Sequence, residues 1–305
     1  MPNKFVLSLF GLHLTLHRCP PVSFRLLVIL IPFIALLSGC GGGGTTAAVS
    51  GSTASTTLTI SPALGKFAQG ATVRVKDRNG AVLGTGAVGA NGSAVITIPS
   101  DPAAAPLIIE AGLNGESYFD EKVNGFVSIN GLSPGAVAIR AVAPDLSRTN
   151  IGVTAITEIA AGSMLTGAGV LPTSAKAASV MAANLVAGGQ FSVPDPLTPP
   201  TLVAAITTLS TADPANDYAL KLAALAHLAA PGRNAMHVAH VLRDDMADGV
   251  FDGQVGTGTA APTAITTTIP TISANASAAT LRTALRVMRP QRLRALCRPH
   301  FAVRL

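Results

Sequence analysis

The chain has 305 residues, a formal net charge of +6, 49% hydrophobic residues, no Trp, two Tyr and three Cys. Much of the apolar content is alanine plus one N-terminal run. No apolar run after position 40 reaches the roughly 20 residues that a spanning helix needs, so the hydrophobic content does not imply a membrane-embedded body. The positive charge sits at the ends: residues 1–39 carry three basic residues and residues 281–305 seven Arg, with no acids in either, whereas residues 40–280 carry 11 basic and 15 acidic residues. The charge is therefore no argument for nucleic-acid binding, and no nucleic-acid partner is expected.

The first element in chain order is an apolar run, Leu26 to Leu37, flanked by Arg25. It is too short to cross a bilayer and has the length of a signal-peptide core. Ser38-Gly39-Cys40 follows, then Gly41 to Gly44. Leu37-Ser38-Gly39-Cys40 resembles the lipobox of bacterial lipoproteins. That resemblance implies removal of residues 1–39, acylation of Cys40 as the new N-terminus, and a membrane-lipid partner. It also implies residence in the cell envelope, with Gly41 after the cysteine favouring the outer membrane. The segment before Arg25 is long for a leader and carries Lys4, Arg18, Cys19 and Pro20-Pro21. It points to a start downstream of Met1 or to an unusual leader. With Cys19 removed and Cys40 acylated, Cys297 stands alone and no intramolecular disulfide is expected.

Residues 40–56 read as a flexible Gly/Ser/Thr/Ala tether. Residues 57–145 read as all-β. Thr57–Ile60 and Thr72–Lys76 alternate, the latter with Val73 and Val75 on one face and Arg74 and Lys76 on the other. Asp77–Gly80 and Ala90–Ser93 are turns, since Asn-Gly supplies positive φ. Ala94–Ile98, Pro106–Ala111, Glu116–Lys122, Phe126–Ile129 and Val137–Val142 are further strands, spaced as in a β-sandwich. The run Gly70–Asp77, Asn79-Gly80, Thr85-Gly86, Ala90–Gly92, Ile96–Pro99 and Leu107–Ala111 resembles a carboxypeptidase regulatory-like or bacterial Ig-like domain. The resemblance covers some 50 residues and implies a packing or binding role rather than chemistry.

Residues 146–285 turn alanine-rich with helical period. Asn150–Glu158 resembles the start of the helical domain that follows such β modules, with Thr154 as N-cap and a helix to about Leu165. A second helix is expected from Thr173 or Ser174 to about Ala187, stopped by Gly188-Gly189. A third is expected near 200–210, a fourth from Asp213-Pro214 to before Pro231, and a fifth over about 233–248. A sixth is expected from near Ser277, carrying Leu281 and Leu285. Short connections suggest an antiparallel bundle. The expected fold class is α+β multidomain, with an Ig-like or prealbumin-like N-terminal β-sandwich followed by an antiparallel helical bundle. Residues 286–305 form a basic tail matching neither part, read as a spurious end in preference to a lipid-touching amphipathic segment.

Two clusters carry potential chemistry. Asp244, Asp245, Asp248 and Asp252 could hold a hard cation such as calcium through oxygen ligands, although the spacing is not that of an EF-hand. The plainer reading is a solvated helix end followed by Asp-Gly turns. His237 and His240 at i and i+3, with Asp244 four residues on, could form a two-His-one-carboxylate metal site, although the zincin spacing is missing. The plainer reading is two ordinary histidines, and His227 is a bundle residue. No nucleophile elbow, Walker loop or dinucleotide-binding glycine pattern is present. The expected function is a non-enzymatic, membrane-anchored envelope lipoprotein, an interaction module for an envelope or extracellular protein or a glycan. The alternative is a calcium-binding lipoprotein using the four aspartates.

Overall fold

The alternating segments pair into sheets in a computed structural model that describes residues 54–133, 135–202 and 212–249. All of them belong to one compact unit. The strands are β1 (Ser55–Ala63), β2 (Thr72–Lys76), β3 (Val82–Ala87), β4 (Ala94–Pro99), β5 (Leu107–Leu113), β6 (Ser117–Asp120), β7 (Gly125–Ser128), β8 (Val137–Ala143) and β9 (Asn150–Thr154). One sheet has the order β4-β1-β9, a second β3-β2-β5-β8, and β6 and β7 form a separate ribbon. β1 and β9 run parallel, and the other pairings are antiparallel. The helices are α1 (Ala155–Gly162), α2 (Ala177–Gln190), α3 (Pro214–Leu228) and α4 (Ala235–Asp245). The described residues are thus α+β, with one mixed sheet, one antiparallel sheet and the antiparallel ribbon.

Alternation sets the faces. In β2, Val73 and Val75 are buried while Arg74 and Lys76 are half-buried; in β4, Ala94, Ile96 and Ile98 are buried while Val95 and Thr97 are exposed. β3 lacks that signal because glycine replaces side chains in it. A Cβ on Gly84 would lie 2.7 Å, and one on Gly86 2.8 Å, from Ile96, so the glycines let β3 lie close over β4. Both Asn-Gly turns are present, with φ of +89° at Gly80 and +88° at Gly92. The first closes the β2–β3 hairpin; the second carries the chain from one sheet to the other.

Residues 150–154, expected as the lead into a helix, form β9 beside β1 before Thr154 caps α1. Thr154 Oγ1 accepts from the Thr157 amide at 3.2 Å, and Thr157 Oγ1 accepts from the Thr154 amide at 2.7 Å. α1 stops earlier than expected, at Gly162, where a Cβ would lie 2.4 Å from the Arg243 carbonyl of α4. α2 begins at Ala177 and runs through Gly188-Gly189 to Gln190, so the glycine pair does not stop it. α3 begins as expected, with Asp213 Oδ1 accepting from the Ala215 amide at 2.8 Å and Pro214 in the first turn. The third and sixth expected helices, Cys40, Asp252 and the basic tail lie outside the described residues.

α1 packs on α2, α4, β8 and β9, and α3 packs on α4. The larger buried cluster includes Leu58, Ile109 and Ile151 from strands and Ile156, Leu225 and Leu242 from helices. The expected boundary at 145/146 therefore does not divide two cores. A smaller cluster, Ile108, Val142, Ala161, Leu171 and Val180, joins β5 and β8 to α1 and α2. Loops tie the halves further. Arg78, in the first turn, donates through Nη2 to the carbonyls of Pro172, Thr173 and Ala175 at 3.3, 2.8 and 3.1 Å. Lys66 donates to the Ala90 carbonyl at 2.9 Å in the second turn, where Leu202 would stand 3.0 Å from a Cβ on Gly92.

Candidate functional site

The β6–β7 ribbon stands apart from the two sheets and combines a rigid buried base with an exposed apolar edge. In β6, Tyr118 and Asp120 are buried and Ser117 and Phe119 half-buried, as alternation requires. Asp120 is fully buried. Its Oδ1 accepts from the amides of Lys122 and Val123 at 3.0 and 3.2 Å, closing the turn into β7. Its Oδ2 accepts from the Ala235 amide at 3.0 Å and from the Tyr118 hydroxyl at 3.4 Å, and that hydroxyl accepts from the Met236 amide at 3.2 Å. One carboxylate and one phenol thus satisfy the first two amides of α4, which otherwise have no intrahelical partner. Lys122 Nζ donates to the carbonyls of Ala229 and Ala230 at the end of α3, the latter at 2.9 Å. Burial and the neighbouring Asp120 carboxylate push the Tyr118 phenol far above its ordinary value.

On the opposite side, Phe119 and Phe126 are cross-strand partners, packed edge to face with ring centroids 5.8 Å apart. Phe126 is 58% exposed, and Val123 in the connecting turn 57%. In a chain with 4% aromatic residues, a Phe held in water on a fixed ribbon is a candidate contact residue. β7 pairs only with β6 among the described strands. Beside the base, Glu121 lines a small cleft with Lys66, Thr201 and Leu222. Burial, then the Asp120 charge, raises the Glu121 carboxyl to about 8.

A second polar group lies between β8, α1 and α4. Glu158 is 1% exposed and accepts from Arg140 Nε and Nη2 at 3.1 and 2.8 Å and from Arg243 Nη1 at 3.0 Å. Burial alone would raise its carboxyl; Arg140, His240 and Arg243 outweigh burial and hold it below the usual range. Arg140 continues a cross-strand row through Glu110 of β5 to Arg74 of β2, with Arg74 Nη2 3.0 Å from Glu110. The role of this group is to hold the helices on the sheet.

The expected metal residues are not brought together among the described residues, where no three His, Cys, Asp or Glu converge as a metal centre. Asp244 is half-buried and pairs with Arg243 at 2.6 Å, whereas the adjacent Asp245 is fully buried. Asp248 lies in a short 3-10 turn after α4, and Asp252 is beyond the described residues. His237 Nδ1 lies 2.6 Å from Asn234 Oδ1, which caps α4 by accepting from the His237 amide at 3.2 Å. His240 Nε2 lies 2.8 Å from the Ala138 carbonyl of β8. Burial lowers the imidazole of each of these two histidines, and of His227 in α3. The two histidines serve a cap and a helix–strand contact, not one site with Asp244.

Sequence reasoning passed over Asp120, Tyr118 and Arg140. A signal existed for Asp120: it follows Tyr118 by two in an alternating strand, so it shares the buried face. No helix among the described residues is long and apolar enough to cross a membrane. Comparison with known proteins finds no matching family model, no matching curated protein and no matching solved structure.

Proposed function

We propose that this chain is a non-enzymatic envelope lipoprotein, anchored through acylated Cys40 and displaying an interaction module to a partner protein or glycan outside the membrane. Support for the anchor is the order apolar run, Ser38-Gly39, Cys40 and glycine-rich tether. Two or more acyl chains give stable attachment, and Gly41 favours the outer membrane. We read the two larger sheets as a carboxypeptidase regulatory-like, Ig-like sandwich and the helices as an antiparallel bundle seated on it. The observation that carries the binding role is the exposed Phe126 on a ribbon whose base is pinned by Asp120.

The anchor is tested by the intact mass of detergent-extracted protein beside a Cys40→Ala variant. A mass corresponding to residues 40–305 plus acyl chains, absent in the variant, is expected; an unmodified mass for residues 1–305 overturns it. The binding role is tested by retention of lipid-free Cys40→Ala protein on isolated envelopes. Loss of retention on adding Phe126→Asp is expected, and equal retention assigns binding elsewhere.

A further inference from the structure

We propose that the exposed face of α2 is the docking site of the chain's own segment 277–288, a proposal that takes the basic end of the chain as genuine sequence. α2 carries no charged residue in its 14 positions. One side is buried through Val180, Asn184, Ala187 and Gly188. The other presents Met181, Leu185 and Val186 at 53, 57 and 47% exposure, together with the exposed Ala178 and Ala182. These residues recur at three- and four-residue intervals and form one stripe along the helix. A surface helix of this kind normally turns charged or polar residues to water.

The size of the face selects the occupant. Fourteen residues make a helix about 21 Å long and about 10 Å wide. That footprint is far below the roughly 800 Å² per partner of a stable complex between separate molecules. A segment tethered to the same chain needs no such area, because its effective concentration is on the order of millimolar. Thr201 donates from its amide to the Ala215 carbonyl at 3.1 Å, which ties residue 201 to the start of α3. Beyond Gly249 the chain runs 56 residues further. Within that length Ala278, Leu281, Leu285 and Met288 fall at spacings of three, four and three, the period of one helix face, and Pro290 ends the pattern. The connection from Gly249 to Ser277 reaches roughly 5–6 Å × √27, about 30 Å, as a coil.

The two stripes match. Ala178, Met181 and Leu185 repeat the small-large-large order and spacing of Ala278, Leu281 and Leu285. Laid antiparallel, each terminal alanine meets a leucine, the alternation of small and large that fills a helix interface. Arg282 and Arg286 then fall to the side of the stripe, toward water.

The test uses the full chain and trypsin, with cleavage sites timed by mass spectrometry. Cleavage after Arg282 and Arg286 is expected to be at least tenfold slower than after Arg292 and Arg294. Leu185→Asp and Leu281→Asp are each expected to remove that difference. Leu185 is exposed, and a circular dichroism melt confirms that the body is intact. A disulfide between cysteines at Met181→Cys and Leu281→Cys, in a Cys40→Ala, Cys297→Ala background, reads the same contact without a destabilising change. Equal cleavage rates in the unsubstituted chain, protection that survives Leu185→Asp, or failure of that disulfide to form overturns the proposal. Protection lost on dilution, with a dimer by light scattering, assigns the face to a second copy and equally overturns it.

Discussion

Arg140 of β8 grips Glu158 of α1 with two parallel hydrogen bonds, 3.1 and 2.8 Å, at a carboxylate that is 1% exposed. A buried ion pair contributes less by existing than its disruption costs, because loss of one partner leaves the other charge uncompensated. Glu158→Gln is therefore expected to destabilise the protein by about 3–5 kcal/mol, measured by urea unfolding at pH 7. Arg140→Met with Glu158→Leu is expected to cost less than Glu158→Gln alone. The pH dependence follows from the depressed carboxyl. The contribution is fully present above the unfolded value of about 4.5 and is lost as pH falls through the lower folded value. The acid limb of the stability curve flattens in Glu158→Gln; an unchanged limb would remove Glu158 from the acid response.

Asp120 supports α4 from a different element, 115 residues earlier in the chain. Asp120→Ala leaves the Ala235, Lys122 and Val123 amides without their acceptor. The expected loss is about 3 kcal/mol, the order of a lost cap combined with a buried unsatisfied donor. Hydrogen exchange localises the effect: the Ala235 and Met236 amides exchange faster in the variant, while those of β5 fall only with global stability. Uniform acceleration everywhere would mean that Asp120 acts on the whole fold and not through α4.

These two residues mark what the sequence discloses. β2 and β4 declare themselves because buried and solvent-facing residues alternate in them, and α3 because Asp213-Pro214 is a local start signal. Glu158 is legible as a first-turn acid suited to the helix dipole. Its partner Arg140 is not, because the pair is formed by packing across 18 residues of chain. β9 is hidden because Ile151 and Val153 fit a helix lead as well as a strand, and only the parallel partner β1 decides between them. The candidate ribbon is half legible: Phe126 reads as a strand residue, but its exposure depends on which face of β6–β7 meets α4.

Glu121 should titrate in the opposite sense to Glu158. Its carboxyl rises to about 8 from an ordinary value of 4.5, through burial and then the Asp120 charge. The folded state therefore holds a proton that the unfolded chain releases. Its favourable contribution is complete below about pH 4.5 and disappears as pH rises through about 8. Glu121→Gln fixes the neutral form. The melting temperature of the variant minus that of the parent is expected to be near zero at pH 4 and to rise steadily to pH 9. A flat difference would show that Glu121 ionises in the cleft without penalty.

The glycines closing α2 predict opposite effects from neighbouring positions. A Cβ on Gly188 would lie 2.3 Å from the Val193 carbonyl and 2.7 Å from Pro196, whereas one on Gly189 meets nothing within 4 Å. Gly188→Ala must push the returning chain away and is expected to cost about 1–3 kcal/mol, as overpacking does. Gly189→Ala gains helix propensity without a clash and is expected to stabilise by about 0.5–1 kcal/mol. The left-handed residue of this helix end is Ser192, with φ of +55°, and Val193 and Ser192 donate back to the Gly188 and Gly189 carbonyls at 2.9 and 3.3 Å. That is a Schellman closure with serine where glycine is usual, so Ser192→Gly is expected to stabilise by about 1 kcal/mol. Thermal melts of the three variants decide the matter. Equal effects of Gly188→Ala and Gly189→Ala would mean that α2 frays before Gly188 and that the Val193 contact does not hold the chain there.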